Sequence, residues 1–163
     1  MYKKTIMFTL LLMVGVFQQS YANINVNLKA VSEKDINCLA KNVYFEANGE
    51  NSKDWTAITL VVFNRIQHDS FPKTVCGVIA QRAQFSWLWD GKKNIIKDKK
   101  TYAKIKQHVS RLMRAYVRGN VKDFTRGAIF YNNPRISKSK KFFRRLTVTY
   151  RSEKHVYYKT KLA

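Results

Sequence analysis

Apolar side chains recur at helical spacing in three stretches of this chain of 163 residues. The spacing predicts one helix over residues 33–45, a second over residues 52–67 and a third over residues 99–118. A shorter helix is predicted from Thr74 through Ala80. Residues that can cap the three long helices stand before each of them: Ser32 with Asp35, Asn51 or Ser52, and Asp98.

After Gly119 the hydrophobic pattern changes to a period of two residues. Residues 128–131 form a short strand candidate, and the alternation over residues 146–150 and 155–158 predicts a hairpin around a turn at residues 151–153. The fold class expected from this order is α+β, with a helical body followed by a small C-terminal antiparallel sheet.

The first 22 residues differ from the rest of the chain, because a basic start precedes an almost wholly apolar run over residues 5–17. This run is short for a membrane span, and small residues follow it near Ala22. We therefore expect a signal peptide over residues 1–22, cleaved after about Ala22, and a single domain over residues 23–163. An uncleaved membrane anchor is the alternative. Both place the domain outside the cytoplasm, in the periplasm, the cell envelope or the medium.

The composition is strongly basic. Lys and Arg number 31 against 10 Asp and Glu, so the formal net charge is +21, and a mature domain would keep +19 because residues 1–22 carry two lysines and no acid. A field this positive draws polyanions such as cell walls, membranes and nucleic acids to the surface. The charge therefore predicts a class of partner and leaves the reaction open.

Cys38 and Cys76 are the two cysteines of the chain. An exported domain can keep them oxidised, so we predict a disulfide that stabilises the fold by roughly 3 to 4 kcal/mol if its geometry is unstrained. Two buried free thiols are the alternative. The three histidines stand far apart, without the spacing typical of zinc ligands, and we expect neither a metal nor another cofactor.

Glu46 is the carboxyl group best suited to chemistry. It stands where the first predicted helix ends, directly after Val43, Tyr44 and Phe45. Apolar and aromatic surroundings disfavour the charged form of a carboxyl group and raise its pKa, as a general acid for a glycosidic oxygen requires. Glu50 follows four residues later, and it either shares the same cleft or lies solvated in a loop.

Six ordered blocks of the sequence resemble the motifs of the SleB-type cell-wall hydrolases, a family named for spore-cortex lytic enzymes. The blocks are Cys-Leu-Ala-Lys-Asn-Val-Tyr-Phe-Glu-Ala-Asn-Gly-Glu (38–50), Val-Val-Phe-Asn-Arg (61–65), Phe-Pro-Lys-Thr-Val-Cys-Gly-Val-Ile (71–79), Gln-Phe-Ser-Trp (84–87), Phe-Tyr-Asn-Asn-Pro (130–134) and Lys-His-Val-Tyr (154–157). The chain departs from the family pattern at Asn48, where an arginine is usual, and at Arg82-Ala83, where a Pro-Gly pair is common.

The resemblance implies a fold distantly similar to lysozymes and lytic transglycosylases, and cleavage of peptidoglycan between N-acetylmuramic acid and N-acetylglucosamine. The glutamate of the opening motif falls on Glu46. With this single acid, Glu46 would protonate the leaving oxygen and then accept the proton of the muramyl C6 hydroxyl, which leaves a 1,6-anhydro end. A hydrolytic muramidase is the alternative, with a second acid such as Glu50 as nucleophile or base.

Other substrate contacts are expected from an aromatic loop predicted over residues 84–91 and from the strand ends. Four of these residues offer hydrogen-bonding groups: Asn64, Gln84, Ser86 and Tyr131. Phe85 and Trp87 offer flat faces suited to the C–H faces of sugars, although both can equally belong to the core. We expect His155 to be a structural strand residue.

An exported cationic protein that binds an anionic polymer or membrane is the main competing hypothesis, supported by basic runs such as residues 138–145. Export and the lack of a stacking or zinc motif argue against a specific nucleic-acid partner. An amidase that cuts the peptide stem would usually need zinc ligands. We expect a monomer whose partner is peptidoglycan, with nonspecific contacts to other anionic envelope polymers.

Overall fold

The structure is a computed structural model that describes residues 31–47, 49–82 and 84–161. The predicted signal peptide lies outside the described residues. Within the described ranges, no helix combines the length and the apolar character that crossing a membrane requires.

Four helices form the body of the domain: α1 (Glu33–Ala47), α2 (Ser52–Gln67), α3 (Val75–Ala80) and α4 (Lys99–Val117). Their starts agree with the predicted caps. The side chain of Asn51 accepts hydrogen bonds from the backbone of α2, and those of Thr74 and Asp98 do the same for α3 and α4. Helix α1 continues two residues beyond its predicted end, so that Glu46 lies within its last turn.

Helix α2 is the centre of the fold. Its residues from Ala57 to Phe63 are all buried, so the helix is covered on every side along this stretch. Ile58, Leu60 and Phe63 belong to the main core with the other helices, whereas Ala57 and Val61 pack with Tyr157 of the sheet. Helix α2 therefore packs against both the helical body and the sheet.

The sheet contains β1 (Phe130–Asn132), β2 (Thr147–Arg151) and β3 (Val156–Lys159), paired antiparallel in the order β1-β3-β2. The last strand in the chain is thus the middle strand of the sheet. Tyr131 pairs with Tyr157, and all residues from His155 to Tyr158 are buried. The predicted α+β class and the C-terminal hairpin are confirmed.

Two short elements were not predicted. The basic run includes a short helix, α5 (Lys140–Phe143), between β1 and β2. A 3₁₀ turn, Ser86–Leu88, also interrupts the predicted aromatic loop. Both elements are too short to produce a periodic hydrophobic pattern.

The predicted disulfide is confirmed, since Cys38 in α1 is bonded to Cys76 in α3. The bond closes a loop with a sequence separation of 38 residues that contains the whole of α2. It therefore constrains the unfolded chain across the segment that carries both Glu46 and the central helix.

Replacing both cysteines with Ser is expected to lower the free energy of unfolding by about 4 kcal/mol, the chain-entropy value for a loop of this length. Urea denaturation of the variant and the wild type would measure the difference. A wild-type sample kept in reducing buffer is the matched control and should unfold at the same urea concentration as the variant. A loss below about 1 kcal/mol would show that the loop is already constrained in the unfolded state.

Candidate active site

A cleft of about 520 Å³ opens between the end of α1, the strand β1 and the turn before β3. Its lining residues come from several separate parts of the chain: Phe45, Glu46, Glu50, Gln84, Tyr131, Asn132, Asn133, Ile136, Ser137, Ser139, Phe143, Lys154 and His155. The volume is in the range of cavities that hold small ligands or single sugar units. The lining combines charged and polar side chains with the apolar side chains of Phe45, Ile136 and Phe143, as a saccharide requires.

Glu46 is half-buried in this cleft, at the last turn of α1. Burial raises the pKa of its carboxyl group, and the Tyr131 hydroxyl and the Arg65 guanidinium oppose this shift because both favour the carboxylate. The net direction is upward, so Glu46 keeps its proton at a higher pH than an exposed glutamate. This is the property that a proton donor needs near neutral pH.

Arg65 is a buried cation near Glu46, and it lies at the end of α2 with 3% of its surface exposed. Its Nε donates to the Ile129 carbonyl oxygen at 2.7 Å. The guanidinium carbon lies 5.2, 5.3 and 5.8 Å from the ring centroids of Phe71, Phe85 and Phe130. Burial lowers the pKa of Arg65 to about 10, which still leaves it charged at neutral pH.

Tyr131 extends from β1 to the floor of the cleft. Its oxygen is buried and makes no well-aligned hydrogen bond within the described structure. Burial raises the pKa of its hydroxyl well above the usual value, and the neighbouring Glu46 adds to the shift. The hydroxyl group therefore stays protonated and can donate to the Glu46 carboxylate once that group has lost its proton.

Glu50 lies at the same cleft but is held differently from Glu46. Its carboxylate accepts from Lys154 Nζ at 2.6 Å, and only 8% of its side chain is exposed. The hydrogen bond to Glu50 raises the pKa of Lys154, so the lysine stays charged over the physiological range. The two glutamates therefore have different surroundings, one beside apolar and aromatic groups and one in an ion pair.

The structure brings four of the predicted site residues together at the cleft, namely Glu46, Glu50, Gln84 and Tyr131. Trp87 lies behind the cleft wall. Its ring stacks on Phe45 with the ring centroids 4.6 Å apart, and its Nε1 donates to the buried Asn42. It supports the cleft wall formed by Phe45. The Ser86 side chain lies outside the described residues.

Two predicted contacts are corrected by the structure. Phe85 is 1% exposed and belongs to the core, where it contacts Arg65, so its ring does not face the cleft. Asn64 donates to Asp123 and to the Ala128 carbonyl oxygen, both at 3.0 Å, and so holds the segment before β1. Both residues were expected at the cleft because they lie in the matching motifs, yet their side chains position the residues that form it.

Several cleft residues were missed by sequence analysis, namely Asn132, Asn133, Ile136, Phe143 and Lys154. Arg65 was missed as well, although a charged residue among buried positions of α2 was a usable signal. Lys154 lies in the last of the six matching blocks, but its pairing with Glu50 has no local signal because it depends on how the hairpin packs. His155, expected to be structural, is buried and packs on Tyr131, and burial lowers its pKa so that it is neutral near pH 7.

Comparison with known proteins decides the family. The family model described as Cell Wall Hydrolase matches residues 49–158, which is more than half of the chain. The chain belongs to the Cell Wall Hydrolase family. The matched stretch of this Cell Wall Hydrolase domain begins just after Glu46 and includes Glu50, Arg65, Gln84 and Tyr131.

Relatives of this Cell Wall Hydrolase chain agree with that assignment. The spore cortex-lytic enzyme of Bacillus subtilis (strain 168) is 42% identical over 60 residues, which cover 37% of this chain and 20% of that protein. The chain matches between about a fifth and three tenths of the length of the curated relatives.

Two solved structures share the fold. The catalytic domain of the germination-specific lytic transglycosylase SleB from Bacillus anthracis is 31% identical with a TM-score of 0.64, and the match covers 80% of this chain and 98% of that one. The catalytic domain of the Bacillus cereus SleB protein is 30% identical with a TM-score of 0.63, covering 80% and 93%. The fold of this chain is therefore that of a SleB catalytic domain.

Proposed function

We propose that this chain is an exported enzyme that cleaves the glycan strands of peptidoglycan between N-acetylmuramic acid and N-acetylglucosamine. Glu46 acts first as general acid and then as general base, and the product carries a 1,6-anhydromuramic end. The observation that supports this most directly is the half-buried Glu46 carboxyl group with its raised pKa, at a cleft of a size that holds a sugar.

The first step breaks the bond between the muramyl C1 and the bridging oxygen. Glu46 gives its proton to that oxygen, so the leaving sugar departs as a neutral alcohol. The carboxylate that remains is stabilised by the Arg65 charge and by the Tyr131 hydroxyl, which both favour the ionised form of Glu46. Positive charge builds up on the muramyl ring at the same time.

The second step closes the anhydro ring. The muramyl C6 hydroxyl oxygen attacks C1, and its proton passes to the Glu46 carboxylate. A bond between C1 and O6 replaces the broken glycosidic bond, no water is consumed, and Glu46 returns to its protonated state. One carboxyl group therefore suffices for the full cycle.

The Glu50 ion pair supports this single-acid route over hydrolysis. A nucleophile or a base needs a free carboxylate oxygen aimed at the sugar or at a water molecule. One Glu50 oxygen is engaged by Lys154 at 2.6 Å instead. We assign Glu50 and Lys154 a binding role at the cleft, along with Gln84 and the apolar lip residue Ile136, which is 77% exposed.

Mass spectrometry of digested peptidoglycan tests the proposal. The mature chain, incubated with purified sacculi, is expected to release muropeptides that are one water molecule lighter than those from a known muramidase used as control. Products with the muramidase masses would mean hydrolysis and would overturn the transglycosylation step. If no glycan fragments appear while the sacculi bind the protein, the chain is a cationic wall-binding protein and the enzymatic proposal is wrong.

A further inference from the structure

A second groove lies beside the cleft and has no role in the proposed chemistry. This α5 groove has a volume of about 450 Å³, and the argument uses six of its lining residues: Lys140, Phe143, Arg144, Leu146, Val148 and Tyr158. It adjoins the cleft, because Asn132 and Phe143 line both. A ligand bound at Glu46 therefore has a neighbouring space into which a branch can extend.

The floor of the α5 groove is apolar. Phe143 packs on Tyr158 with ring centroids 5.0 Å apart, and this contact attaches the short helix α5 to the sheet. Val148 lines the groove with 42% of its surface exposed, so it adds apolar surface that a ligand can cover. Small aliphatic groups of a ligand can displace water from this floor.

Cations stand above the apolar floor. Lys140 and Arg144 are four residues apart, so they project from the same side of α5, with Phe143 between them. Both are exposed, and neither forms an ion pair with any residue that the structure describes. Among the described residues that line the α5 groove, none is acidic. The groove is thus suited to a ligand with carboxylates beside small apolar groups.

We propose that the α5 groove binds the acidic peptide branch carried by the muramic residue of the substrate, and that the chain consequently prefers glycan strands that bear peptides. The proposal rests on the proposed function and adds a specificity to it. Peptidoglycan peptides combine alanine methyl groups with free carboxylates, which match the apolar floor and the two cations. A peptide branch on a muramic residue bound at Glu46 can reach the α5 groove, because Asn132 and Phe143 line both the groove and the cleft.

The test compares two substrates. Sacculi are used either intact or after an amidase has removed the peptides from the glycan, and kcat/KM for strand cleavage is measured on both. In the double variant Lys140→Gln/Arg144→Gln, kcat/KM on peptide-bearing strands is expected to fall about fivefold to tenfold, because two partly exposed charge contacts are lost. Its kcat/KM on stripped strands should equal that of the wild type. The wild-type preference for peptide-bearing strands should also fall as salt is added.

The matched control is Lys141→Gln/Arg145→Gln, which removes the same charges from the same segment at positions that do not line the α5 groove. The control should retain the wild-type preference. An equal loss on both substrates, or an equal loss in the control, would show general attraction to an anionic wall and would overturn the proposed peptide site. If the wild type cleaves neither substrate, the proposed function itself fails, which is a distinguishable result.

Discussion

Glu46→Gln is expected to reduce the rate of glycan cleavage by about 10²- to 10⁴-fold, the usual contribution of a positioned general acid and base. Glutamine has nearly the same shape but can neither give a proton to the glycosidic oxygen nor take one from the C6 hydroxyl. Release of muropeptides from sacculi measures the rate. Glu153→Gln, the same change at an exposed position in the turn before β3, should leave the rate unchanged.

The folded state of the Glu46→Gln variant should be at least as stable as that of the wild type. The pKa of Glu46 is raised by burial, so the folded wild type holds this proton more tightly than the unfolded chain. Stability of the wild type therefore falls as the pH rises from the unfolded pKa through the folded one, and the variant lacks this fall. A melting temperature at pH 8 equal to or above that of the wild type is the expected result.

Two outcomes would contradict this account of Glu46. Retained cleavage by a folded Glu46→Gln variant would remove the residue from the mechanism. A large drop in melting temperature would indicate that the carboxylate stabilises the fold, which is the opposite of what its burial implies.

Arg65→Met is expected to lower the free energy of unfolding by about 2 to 4 kcal/mol and to shift the pH dependence of cleavage. The stability loss follows from the charged hydrogen bond to the buried Ile129 carbonyl oxygen and from the contacts with three aromatic rings. Arg65 also holds the pKa of Glu46 down. Without it that pKa rises further, so activity should persist to a higher pH before the acid loses its proton.

Arg65→Lys separates the two effects. Lysine keeps the positive charge near Glu46 but cannot reproduce the guanidinium contacts with the rings. This variant should therefore lose stability, while the fall of its cleavage rate at alkaline pH (the alkaline limb) stays near that of the wild type. Arg111→Met, on an exposed position of α4, is the control for charge loss alone and should change neither quantity. Initial rates of cleavage measured from pH 5 to 9 give the pH dependence, and urea denaturation gives the free energy of unfolding. An unchanged alkaline limb in Arg65→Met would show that the Arg65 charge does not act on Glu46.

Most of the helical body could be predicted from sequence, because each helix carries its own start signal and its own apolar face. Asn51, Thr74 and Asp98 all cap helices as expected. The candidate site was predicted in part. Glu46, Glu50, Gln84 and Tyr131 meet at the cleft, whereas Phe85 and Asn64 lie behind it. A motif shows that residues act together and does not show which of them faces the ligand.

Local pattern and composition determined the fold class, the helix starts and the basic charge, and they left one possible disulfide pair. These properties depend on neighbours in the chain or on a count of residues. Only the tertiary structure decided that Arg65 lies near Glu46, that Lys154 pairs with Glu50, and that α5 adds a cationic groove to the cleft. Each of these depends on distant segments that are brought together when the sheet packs on α2, and burial of a charge or a carboxyl group is a property of that packing.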